Sequence, residues 1–119
     1  MRKPVVLVVE DDTLLRLDTI DMVEEAGFSP LEAVNAQQAI RHLESHPDIR
    51  IVLTDIDMPP GMDGMALAKI VHRRWPPVAV VLVSGKVVPT EALVREGGMF
   101  FSKPFRRADM IATLQRLAA

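Results

Sequence analysis

Two stretches of this chain, VVLVV at 5–9 and VAVVLV at 78–83, carry no polar side chain. They constrain the fold more than anything else in the sequence. Successive side chains of a β-strand point to opposite faces of its sheet, so a strand apolar at every position belongs in a sheet covered on both sides. Ile51, Val52 and Leu53 make the same demand at the centre of a third strand, Ile49 to Thr54. Between and beyond these runs the pattern changes to helical spacing. Thr13 to Ala26 carries Leu14, Leu17, Ile20 and Val23 as its apolar positions and stops at Gly27, a natural residue just past a helix end.

Phe28 to Val34 is a weaker strand, and Pro30 places it at or near an edge because proline cannot donate to a ladder. Asn35 caps a helix running to about His46, with Gln38 as its capping-box partner and Ala36, Ile40 and Leu43 facing inward. Asp63-Gly64 opens another helix that Trp75-Pro76-Pro77 ends near Arg74. Pro89 to Glu96 has room only for a short or irregular helix before Gly97-Gly98. Met99 to Ser102 is a fifth strand, and Arg106 to Leu117 a last helix with Met110, Ile111, Leu114 and Leu117 inward. Five βα units imply one α/β domain over 1–119, a doubly wound parallel sheet with helices on both faces.

In open sheets of this kind the site lies outside the carboxyl ends of the strands. The first strand is followed by Glu10, Asp11 and Asp12, the third by Asp55 and Asp57, the fourth by Ser84 and the fifth by Lys103. Strand-end polarity explains each alone, yet four strand ends bring carboxylates, a hydroxyl and an ammonium to one rim. Clustered carboxylates repel one another unless a cation is present, and Mg²⁺ takes one or two carboxylates with waters and a phosphate oxygen. No histidine or cysteine stands at these ends, which argues against zinc. A carboxylate can also attack phosphorus, and phosphoryl transfer needs positive charge around the equatorial oxygens. A metal, Lys103 and Ser84 would supply it, with Asp55 the most enclosed nucleophile.

The net charge of −2 gives no reason to expect nucleic-acid binding, and the pairs Arg73-Arg74 and Arg106-Arg107 read as solvated helix faces. The absence of cysteine excludes disulfides and thiolate metal sites and fits a reducing, cytoplasmic setting. No segment has the length and apolarity of a membrane span.

VLVVEDD (6–12), LTDIDMPPGMDG (53–64), VLVSGK (81–86) and FFSKPF (100–105) resemble, in order and across nearly the whole chain, the four signatures of response-regulator receiver domains. The resemblance implies a flavodoxin-like sheet of order 2-1-3-4-5. It implies a role in two-component phosphorelay signalling: Asp55 accepts a phosphoryl group from a phosphohistidine, and no turnover enzyme is involved. It further implies Mg²⁺ held by Asp11, by Glu10 through water, by Asp55 and by the backbone carbonyl of Asp57. Lys103 would pair with the acceptor, Lys103-Pro104 would be cis, and Ser84 with Phe100 would form the switch. The implied partners are a sensor histidine kinase or histidine phosphotransfer protein and a downstream protein, with homodimerisation open. Ala119 ends the chain after the last helix, so the expectation is a stand-alone receiver without a DNA-binding domain or membrane association, with a receiver excised from a larger regulator or hybrid kinase as the other reading.

This chain has Phe100 where many relatives have tyrosine, which leaves a plain core phenylalanine as the other reading. Asp12 is either a third acid of the site or a helix cap. The segment between Ser84 and Lys103 is short, and MPPGMDG is one residue long for the pattern. Asp57 and Lys86 stand on facing loops and form a candidate gate against hydrolytic water. Two other classes remain: a phosphatase built on the DxD of IVLTDIDM, and a receiver-like binding module that is never phosphorylated. A complete βαβα unit before the DxD opposes the first, and the intact set Glu10, Asp11, Asp55, Ser84 and Lys103 opposes the second.

Overall fold

A computed structural model describes residues 3–58, 61–85 and 99–119. Its elements are β1 (Val5–Val9), α1 (Thr13–Glu25), β2 (Ser29–Ala33), α2 (Ala36–Ser45), β3 (Ile49–Asp55), α3 (Gly64–Arg74), β4 (Ala79–Ser84), β5 (Met99–Ser102) and α4 (Arg107–Leu117). The five strands form one parallel sheet in the order β2-β1-β3-β4-β5, as the resemblance implied. The short helix expected at 89–96 lies outside the described residues, and so does Lys86.

Strand alternation divides the core in two. Val5, Leu7 and Val9 of β1, with Val52, Val80 and Leu82, face α2 and α3 through Ala39, Leu43, Leu67 and Val71. Val6, Val8, Ile51, Leu53, Val81 and Val83 face α1 and α4 through Met22, Val23, Met110 and Leu114. All five residues of β1 are buried, which is why its sequence has no polar position. β2 lies at the edge with Pro30, as proline requires. Among the described residues no helix is long and apolar enough to cross a membrane.

The helix ends follow the side-chain chemistry. Asp12, Asn35 and Asp63 cap α1, α2 and α3, accepting from the backbone N–H of Leu15, Gln38 and Ala66. Asp12 therefore has a capping role. Gln38 reaches back to the N–H of Val34 rather than that of Asn35, one residue beyond the usual capping box. Gly27 takes φ 98 after α1.

The inward face of α1 matches the expected one at Ile20 and Val23 but not at Leu14 and Leu17. Leu14 and Leu17 are 79% and 54% exposed, and the buried residues are Met22 and Val23. A strict spacing of three drifts by about 60° per step on a helix of 3.6 residues per turn, which leaves Leu14 about 180° from Val23. The side chains that do pack inward are Ile20, Met22, Val23 and Ala26, which mix steps of three and four.

Candidate functional site

Backbone hydrogen bonds continue past the strand ends and fix where the polar residues emerge. Glu10 N–H donates to Ala33 O (3.0 Å), Ile56 N–H to Val83 O (3.0 Å) and Lys103 N–H to Ser84 O (2.9 Å). Each bond carries the sheet pairing one residue past the strand end, of β1 with β2, of β3 with β4 and of β5 with β4. Thr54, 1% exposed, donates its hydroxyl to the Asp55 carbonyl at 2.9 Å. Gly64 opens α3 against the same peptide: its N–H donates to Ile56 O, and a Cβ there would collide with the Asp55 carbonyl and lie 2.9 Å from Ile56 Cα. Only glycine fits this approach.

On this rim Lys103 Nζ lies 3.2 Å from Asp55 Oδ2 and 3.9 Å from Glu10 Oε1. The Asp57 N–H donates to Asp55 Oδ1 at 3.1 Å, and the Ser84 hydroxyl donates to Asp57 Oδ2 at 3.0 Å. Asp11 is exposed next to Glu10. The Lys103-Pro104 peptide is cis. Phe100 is half-buried, paired in register with Leu82 and packed against the core under α2 and α3. The structure thus brings together Glu10, Asp55, Asp57, Ser84 and Lys103 from four strand ends. The partner expected for Asp57 across the mouth, Lys86, lies outside the described residues.

Glu10 carries the electrostatic strain of the site. It is 6% exposed, and among the described residues its Oε2 has no hydrogen-bond partner. Burial raises its pKa from 4.5 to about 7, helped by the Asp11 side chain and the charge of Asp55 and opposed by Lys103. A buried carboxylate oxygen without a donor asks for a cation. Among the described residues no three His, Cys, Asp or Glu side chains group closely enough to hold a metal by themselves. Mg²⁺ takes one or two carboxylates with a carbonyl and water, and the orphaned Glu10 oxygen near Asp55 is a place for such a cation. The residues present fit it.

A cavity of about 460 Å³ opens from these acids, bounded by Leu15, Thr19 and Met22 of α1 on one side and Pro104 and Phe105 on the other. Two arginines frame the region: Arg16, which sequence reading did not single out, and Arg107, which it placed on a solvated helix face and which instead ties two helices together. Arg16 donates to the Glu10 carbonyl at 3.0 Å and pairs with Glu32. Arg107 meets Asp18, Asp21 and Glu25 of α1 at 3.6, 2.8 and 2.6 Å, tying α4 to α1. Its pKa is raised, first by the Glu25 hydrogen bond. Arg107 stands 82 residues after Glu25, a separation that no local pattern spans.

The sequence profile of the response regulator receiver domain matches residues 6–115. Transcriptional regulatory protein PdtaR of Mycobacterium tuberculosis is 32% identical over 114 residues, which span 92% of this chain and 54% of PdtaR. The autoinducer sensor kinase/phosphatase CqsS of Vibrio cholerae is 31% identical over 119 residues, covering 96% of this chain and 17% of CqsS. The chain thus spans about half or less of these curated relatives. Among solved structures, a response regulator receiver protein from Sinorhizobium medicae superposes with a TM-score of 0.83 at 26% identity, covering 97% of this chain and 94% of that one. One from Pseudomonas putida gives 0.86 at 24%, covering 98% of each.

Proposed function

Because the chain belongs to the response regulator receiver domain family, we propose that it is a phosphoacceptor of two-component signalling, modified on Asp55. The observation that carries this reading is the meeting of Asp55, at the enclosed end of the central strand, with Lys103 from a separate strand end at 3.2 Å. An Asp55 carboxylate oxygen attacks the phosphorus of a phosphohistidine, the P–N bond breaks, and the imidazole leaves with its electron pair. The Asp57 N–H holds Asp55 in place through Oδ1, leaving Oδ2 beside the ammonium that meets the incoming phosphoryl oxygens.

Receiver domains of this family generally bind Mg²⁺ in an acidic pocket. Here Asp11, Asp55 and the Asp57 carbonyl would hold it, with Glu10 acting through water. When bound, it supplies positive charge to the phosphoryl oxygens. Phosphorylation adds charge and acceptor oxygens beside Ser84 and Lys103. Their rearrangement, with Phe100, biases the fourth and fifth βα units toward a surface that a downstream partner reads. The donor is a sensor histidine kinase or histidine phosphotransfer protein, and the setting is cytoplasmic.

Intact mass after incubation with acetyl phosphate tests the reading. Wild type gains a phosphoryl group only with Mg²⁺, and Asp55→Asn gains none. An adduct that survives Asp55→Asn overturns it.

A further inference from the structure

Asp57 touches two residues of the proposed chemistry at once. Its backbone N–H serves Asp55 Oδ1, while its carboxylate receives the Ser84 hydroxyl at 3.0 Å. Ser84 is the last residue of β4 and 0% exposed, so its hydroxyl is not left to water. A hydrogen bond to an ionised acceptor is stronger than one between neutral groups. A hydroxyl has one hydrogen to donate, so Asp57 and a phosphoryl oxygen on Asp55 compete for the same atom.

We propose that Asp57 is a positioning residue that holds the Ser84 hydroxyl in the unphosphorylated domain and so sets how favourable the phosphorylated state is. The proposal rests on the reading of Asp55 as acceptor and deepens it. The switch then exchanges one acceptor for another. Before phosphorylation the hydrogen of Ser84 lies on Asp57; afterwards it lies on the phosphoryl group, and the Asp57 carboxylate is left with water. The carboxylate also places a negative charge next to a group that is becoming more negative, which opposes the same state by a route independent of Ser84. These two effects differ in a way that substitution separates. Asp57→Asn removes the charge and keeps an acceptor for Ser84, whereas Asp57→Ala removes both. Both leave the backbone N–H and carbonyl in place.

Binding of beryllofluoride, a phosphoryl mimic that adds to an aspartate carboxylate, is measured by titration calorimetry in Mg²⁺. Wild type, Asp57→Asn and Asp57→Ala are compared, each also in a Ser84→Ala background, with thermal melts confirming the fold of every variant. Affinity is expected to rise from wild type to Asp57→Asn to Asp57→Ala, the last step by about three- to tenfold, the scale of one lost competing hydrogen bond. In the Ser84→Ala background that last step disappears, while the step from wild type to Asp57→Asn remains. Equal affinity of Asp57→Asn and Asp57→Ala with Ser84 present overturns the proposal, as does a difference that persists without Ser84. Should Asp57→Ala not fold, Asp57→Leu, which also lacks an acceptor, makes the same comparison. Binding by wild type with no such coupling leaves the aspartyl reading standing and removes only the positioning role. No Mg²⁺-dependent binding by wild type overturns both.

Discussion

Replacing Glu10 by glutamine should make the metal-free domain more stable at alkaline pH. Its carboxyl is pushed from 4.5 up to about 7, chiefly by burial, while Oε2 has no hydrogen-bond partner among the described residues. Unfolding releases the group into water, where it ionises from about pH 4.5. Between pH 4.5 and about 7 the folded state therefore holds the proton that the unfolded state has lost. Stability falls as pH rises through this window and levels off above it. At about 1.4 kcal/mol per pH unit, the full interval is worth on the order of 3 kcal/mol, and roughly 2 to 3 kcal/mol of it falls between about pH 5 and pH 8.

Glutamine fills the same volume and carries no proton equilibrium. Urea unfolding in EDTA at about pH 5 and pH 8 measures both proteins. Every other titrating group is shared, so the difference between the two pH slopes belongs to Glu10 and its neighbours. Wild type should lose roughly 2 to 3 kcal/mol more than Glu10→Gln across the range. Added Mg²⁺ should stabilise wild type more than the variant at about pH 8 by neutralising the ionised carboxylate. Parallel pH profiles for the two proteins would refute the reasoning, because the buried carboxyl would then be ionised in the fold at no cost.

Gly64→Ala should destabilise the domain by about 1 to 3 kcal/mol, since the new Cβ meets fixed backbone at Asp55 and Ile56. Acetyl phosphate labelling of Asp55, followed by intact mass under conditions where the variant is folded, should fall well beyond any loss of folded protein. Arg107→Ala should lower the melting temperature modestly in low salt and leave it near wild type in high salt, because Arg107 is partly exposed and its three ion pairs with α1 are screened. Unchanged melting at low salt would dissolve the view of Arg107 as a tie between α1 and α4.

The parallel sheet was legible because buried strands permit no polar position: β1 is apolar throughout and buried throughout. The edge position of β2 followed from Pro30, and the starts of α2 and α3 from Asn35 and Asp63, since those signals act within a few residues. On α1, Ile20 and Val23 were placed inward correctly, but Leu14 and Leu17 were misread because a spacing of three was taken for a helical stripe, when only a mixture of threes and fours stays on one side. The rim residues were legible as a group because strand topology carries them there whatever their side chains do. The bond from Ser84 to Asp57 and the clamp at Arg107 were not, because they join residues 27 and 86 positions apart through side-chain geometry that no local pattern encodes.

That contrast bears on where this domain's individual behaviour resides. Asp55, Lys103 and Glu10 are fixed by backbone bonds that extend each strand by a residue, so the reacting groups tolerate little variation in placement. Asp57 differs: on the proposed function a metal would ask only for its carbonyl, and Asp55 takes only its N–H, both of which any residue other than proline provides. On that reading its side chain can change without dismantling the site. A carboxylate there adds charge beside charge and engages the buried hydroxyl of Ser84. On the positioning role proposed above, both effects would favour the unmodified state, and the position would tune the equilibrium while the rest of the rim preserves the chemistry.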